Sequence, residues 1–80
     1  MERTRLIQSH LSNATQVAIS KLSRGHLIRS IGSGHFLTTG KGDRGRTLCV
    51  VAWREIQPYI ELDPNKSRLG IKVWRLKNGD

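Results

Sequence analysis

Lys41, Arg44 and Arg46 lie in the segment Gly40-Lys41-Gly42-Asp43-Arg44-Gly45-Arg46, interleaved with three glycines and a single acid, Asp43. Cations on a glycine-rich turn suit a polyanion. Guanidinium and ammonium groups displace the counterions of a phosphate backbone, and glycine permits the positive φ and close backbone approach that a hairpin tip needs. Lys21 and Arg24, near the end of a candidate helix, and Arg29 on the strand-like run that follows, complete the candidate set of phosphate contacts.

The charge is unevenly spread. The chain holds 14 Lys and Arg against 6 Asp and Glu, with a sequence pI near 10.9. Residues 1–54 carry nine basic side chains and two acidic ones, a net of +7, whereas residues 55–80 carry five and four, a net of +1. Such a field attracts phosphate and speeds encounter, although a solvated charged surface has the same composition. The expected partner is nucleic acid, DNA ahead of RNA, and the expected protein is a small non-enzymatic regulator. Asn13, Gln16, Ser20, Lys21 and Arg24 on the helix would supply any sequence preference from a major groove. A second reading is a protein-interaction module or inhibitor docking on an acidic surface. Tyr59, Lys72 and Trp74 on the 56–76 hairpin would then be its contacts, and its salt dependence would be shallower. Trp53 and Trp74 beside cations also suit stacking on unpaired bases, against the plainer role of filling the core.

Other patterns carry less. Gly40-x-Gly42-x-x-Gly45 has the letters of a dinucleotide fingerprint, but a strand follows it where that motif opens a helix. The spacing from Gly34 to Lys41 fails as a phosphate-binding loop, and no nucleotide cofactor is expected. His10, His26 and His35 show no metal-ligand spacing, so no metal is expected either. Cys49 lies in an apolar run and is expected to behave as a small buried hydrophobe. A ribonuclease would need a general base, a general acid and a cation, for which His35 with Lys41, Arg44 or Arg46 is the minimal set. Gly34-His35-Phe36 resembles, in those letters alone, the glycine-histidine strand of small bacterial toxins of the dsRBD-like type. That architecture has a C-terminal helix with no counterpart here, and the chain is not assigned to the family.

These residues need elements to hold them. Ile7, Leu11, Ala14, Ala18 and Leu22 form one stripe at helical spacing over residues 4–24, with Arg5, Gln8, Ser12, Gln16 and Ser20 opposite. Ser12-Asn13 marks a break or a cap, with Gln16 placed to close a capping box on Asn13, and Gly25 is the expected C′ residue. After Gly25 the sequence becomes strand-like: residues 26–31, 35–39, 46–53, 56–62 and 69–76, divided by turn residues. The continuous apolar run Leu48–Trp53 predicts the central, most buried strand, and Pro58 predicts an edge or a bend. Together these predict a single α+β domain over residues 1–80, a helical segment on a small antiparallel sheet of three to five strands, with 78–80 frayed. A winged-helix variant would use residues 14–24 for recognition and 35–53 as the wing.

Eighty residues allow one modest core. One cysteine precludes an intramolecular disulfide and fits a reducing, cytoplasmic setting. No run is long and apolar enough for a membrane span, and the first residues lack the apolar core of a secretory signal, so no membrane partner is expected. A homodimer stays open as a way to present two half-sites.

Overall fold

The computed structural model describes residues 11–32, 34–40 and 44–77. Helix α1 (Asn13–Ser23) starts where a cap is available: Thr15 N donates to Ser12 Oγ at 3.3 Å. The break expected near residue 12 is therefore the start of this helix, capped by Ser12 rather than Asn13. Ile7, Arg5, Gln8 and His10 lie outside the described residues. At the other end, His26 N donates to Lys21 O at 3.1 Å and Gly25 N to Leu22 O at 3.0 Å. This paired closure needs a left-handed residue, and Gly25, at φ +104°, supplies it.

The chain then builds β1 (Leu27–Ile31), β2 (Gly34–Thr38), β3 (Thr47–Val50), the short helix α2 (Trp53–Ile56), a 3₁₀ turn (Gln57–Tyr59), β4 (Ile60–Leu62) and β5 (Lys72–Leu76). The five strands form one antiparallel sheet in the order β3-β2-β1-β5-β4. This is the expected α+β class, a helix on an antiparallel sheet. The segment that a winged-helix reading would use as a wing, β2 and β3, is integrated into that sheet.

Register decides which residues share a face. Cys49, Leu37, Ile28, Trp74 and Leu62 are successive cross-strand partners, so they form one row over all five strands. Ser30, paired with both His35 and Lys72, forms the next row on that face. α1 packs over the middle of the first row, whose ends Cys49 and Leu62 stay exposed, and the core is Ala18, Ile19, Leu22, Ile28, Leu37, Val51, Ile56 and Ile60. Burying such side chains is worth about 1.5–3 kcal/mol each, enough to fix the register against a one-residue slip.

Two expectations are corrected. The central strand is β1, flanked by β2 and β5, while β3 is an edge strand exposed along its length, with Val50 68% accessible. The apolar run 48–53 is divided among three tasks: Leu48 to Val50 on the edge, Val51 in the core, and Trp53 starting α2. Cys49 is accordingly exposed. The helical stripe is also rotated, since Ala14 and Val17 face solvent and Thr15 is buried. Pro58 sits in the 3₁₀ turn just before the edge strand β4, where no ladder bond is lost.

Thr15 is inside because its hydroxyl has a partner. Glu55 Oε1 accepts from Thr15 Oγ1 at 2.5 Å, Ser12 Oγ at 2.8 Å and Ser12 N at 3.3 Å, tying α2 to the start of α1. These bonds, that of Thr15 first, hold the Glu55 carboxyl below the ordinary carboxylate range. A lowered folded-state pKa means stabilisation that is full above the unfolded value and lost as pH falls through the folded one. Glu55→Gln is expected to lower the urea midpoint at neutral pH, and the gap from the parent should close on acidification below roughly pH 4. A gap that does not change with pH would show that the charge on Glu55 is not what matters.

Candidate nucleic-acid interface

The hairpin joining β2 and β3 is closed by two bonds between the same residues. Thr39 N donates to Arg46 O at 2.9 Å, and Arg46 N donates to Thr39 Oγ1 at 3.0 Å. Gly45 is buried against this closure, where a Cβ would lie 2.6 Å from Thr39 O. Gly40 packs with its Cα on the carbonyl oxygen of Gly25, the residue that terminates α1. Two glycines thus let the base of the basic hairpin meet the end of the helix backbone to backbone.

This contact brings sequence-distant cations to one end of the molecule. Lys21 is in the last turn of α1 and Arg24 is its C-cap. Arg44 and Arg46 are on the abutting hairpin, and Arg24, Arg44 and Arg46 are all exposed. Arg29 lies on the sheet face opposite α1, in register with Phe36 and Val73, and reaches across to donate to Thr47 Oγ1 at 3.1 Å. It therefore joins the same hairpin from the other side. Lys41 falls outside the described residues.

The described acids are elsewhere. Glu55 is held at the start of α1, about 16 Å along the helix from its basic end. Glu61 pairs with Arg75 at 2.8 Å on the β4–β5 edge, and Asp63 Oδ2 is 3.8 Å from the same arginine. Asp63 is also engaged by its own turn, accepting from Asn65 N and Lys66 N at 3.0 and 3.2 Å. The described acids thus lie at the start of α1 and along the β4–β5 edge, and the helix–hairpin end holds cations without a described carboxylate, although Arg54, Lys66, Arg68, Lys72, Arg75 and Lys77 lie elsewhere on the fold.

At the opposite end of β2 the structure assembles a site that sequence reading saw only in pieces. His35 stacks on Trp53 with ring centroids 3.8 Å apart at 13°, and Trp53 meets Trp74 edge to face at 5.1 Å. Trp74 Nε1 donates to Ser30 Oγ at 2.8 Å. These residues, with Gly32, Arg68, Leu69, Gly70 and Lys72, line an open cleft of about 630 Å³. Lys72 and Trp74 were readable as neighbours from strand alternation. Ser30 was missed because its role depends on pairing to both His35 and Lys72, which only the strand order reveals.

His35 is therefore not a neighbour of the basic tip. It lies four residues before Thr39, about 13 Å away along the strand, with its ring committed to Trp53. The minimal ribonuclease set of His35 with Arg44 or Arg46 is not assembled. Tyr59 packs against the core beside the end of β5, its carbonyl accepting from Lys77 N at 2.8 Å, and is not among the described residues that line the cleft with Lys72 and Trp74. Among the described residues no group of three His, Cys, Asp or Glu side chains could hold a metal. No described helix is long and apolar enough to cross a membrane. Comparison with protein families, curated proteins and solved structures finds no match to this chain.

Proposed function

We propose that this is a nucleic-acid-binding protein, DNA ahead of RNA, which grips the phosphate backbone with its helix–hairpin end. The observation that carries this reading is the absence of any described carboxylate from the end where the basic hairpin abuts the basic end of α1. The contact of Gly40 with Gly25 sets the end of α1 that carries Lys21 and Arg24 against the hairpin that carries Arg44 and Arg46, while the described acids sit at the start of α1 and on the β4–β5 edge. Several cations on one end create the focused field that raises on-rates and releases counterions on binding. Next to them, α1 exposes Asn13, Val17 and Ser20 on one stripe, a surface able to meet base edges or a thymine methyl.

Fluorescence anisotropy of labelled duplex DNA, single-stranded DNA and RNA, titrated at about 50 and 200 mM salt, tests the reading. Four phosphate contacts predict a slope of log K against log salt of about −3.6 on duplex DNA. Binding without salt dependence, or no binding to any polyanion, would overturn it.

A further inference from the structure

We propose that the cleft between His35, Trp53 and Trp74 takes one unpaired nucleobase, with its phosphate directed to Lys72. This rests on the nucleic-acid reading above and adds a second, chemically different contact to it.

Three features support a base rather than a general apolar group. The cleft wall is aromatic, with the rings of His35, Trp53 and Trp74 holding one another in fixed relative orientation. Flat rings that are already ordered lose little entropy when another ring stacks on them. Ser30 Oγ accepts from Trp74 Nε1, which leaves its hydroxyl hydrogen to be donated to an acceptor on a base edge. Among the described residues the charge at the rim is cationic: Lys72 and Arg68 line the cleft and no carboxylate does. An uncharged aromatic would gain nothing from that rim, whereas a nucleotide combines a π-face with a phosphate.

The cleft is also pre-formed. Its outer wall is the β4–β5 connection, which is knotted to the sheet at Ser67: Ser67 Oγ donates to Asp63 O at 2.7 Å, and Val73 N donates to Ser67 Oγ at 2.9 Å. Arg68 and Ile71 then exchange two backbone bonds of 2.9 Å each around Leu69-Gly70, with Gly70 at φ +83°. The loop thus holds Arg68 and Lys72 at the rim without waiting for a ligand.

A duplex keeps its bases stacked and cannot fill this site, so single strands are the matching substrate class. The chain has two tryptophans and both are in the cleft, which makes intrinsic fluorescence a local reporter. The test titrates the protein with an unlabelled single strand of about ten nucleotides, an abasic phosphodiester of equal length, and a nucleoside monophosphate. Anisotropy of labelled versions is read in parallel, on the parent and on Lys72→Gln, Trp74→Leu and Arg44→Gln/Arg46→Gln variants.

The base-bearing strand should quench tryptophan fluorescence while the abasic strand binds without quenching. Trp74→Leu should weaken the base-bearing strand about 5- to 100-fold and leave the abasic strand alone. Because Trp74 also packs on the core, the exposed Lys72→Gln, expected to cause a smaller loss without unfolding, guards against misreading a misfolded variant. Equal quenching by both strands, or tight binding of the base-bearing strand with unchanged fluorescence, would overturn the cleft proposal while leaving the basic end intact. Failure of the basic end looks different: the Arg44/Arg46 variant would bind like the parent, or the monophosphate alone would quench while no polymer bound. Silence in every arm would overturn both.

Discussion

Replacing Arg24, Arg44 and Arg46 together with glutamine is expected to weaken duplex DNA binding on the order of 100-fold near physiological salt and to flatten the salt slope by about 2.7. The argument is counterion release. Each phosphate neutralised by a cation returns about 0.9 of a condensed ion to bulk, so three lost contacts remove about that slope whatever the DNA sequence. The loss should be nearly uniform across sequences, because phosphate contacts carry no direct sequence information. The fold should survive. All three side chains are exposed, and what Arg24 and Arg46 contribute to structure comes from their backbone groups, the capping N–H of Arg24 to Lys21 O and Leu22 O and the hairpin closure of Arg46 with Thr39. Unchanged circular dichroism and thermal midpoint, with the slope measured between about 50 and 300 mM salt, would isolate the electrostatic effect. A variant that retains the parent slope would place the phosphate contacts elsewhere on the chain.

The legible part of this molecule is local. Gly25 as a helix terminator, the strand–turn alternation after it and the bend at Pro58 all follow from backbone preferences within a few residues, and all are observed. What was not legible depends on strand order. The apolar run 48–53 resembles a central strand, yet hydrophobicity alone does not distinguish a buried strand from an edge strand that turns into a core-facing helix. By helical spacing Ala14 lies on the apolar stripe and Thr15 at its flank; that Thr15 is the buried one depends on its acceptor, Glu55, forty residues away. His35 was assigned to the basic tip by sequence proximity, and the pleat and the return of the chain through Trp53 place it in the cleft instead. The cations were found by type and spacing, but their convergence was not, since it rests on Gly40 meeting Gly25 across the fold.

That contact leads to the second large effect, a loss of both stability and affinity from a substitution that changes no charge. Gly40→Ala would drive a methyl group into the carbonyl oxygen of Gly25. The obstacle is backbone, and it is part of the turn closed by His26 N and Gly25 N, so no side-chain rotation can relieve it. The hairpin base has to move off the helix, and overpacking of this kind costs about 1–3 kcal/mol, a fall in thermal midpoint of roughly 5–20 °C for a domain of this size. The same movement separates Arg44 and Arg46 from Lys21 and Arg24. DNA affinity should therefore fall even at temperatures where the variant remains folded. Gly32→Ala is the matched control: Gly32 has φ +57° and open space around it, so alanine there strains the β1–β2 turn by about 1 kcal/mol, and does so at the cleft end of the sheet. If the glycine contact organises the interface, Gly40→Ala loses affinity beyond what its stability explains, whereas Gly32→Ala loses stability and binds duplex DNA like the parent. Equal affinities for the two variants would mean that the cations act as independent charges, with no need for the fold to hold helix and hairpin together.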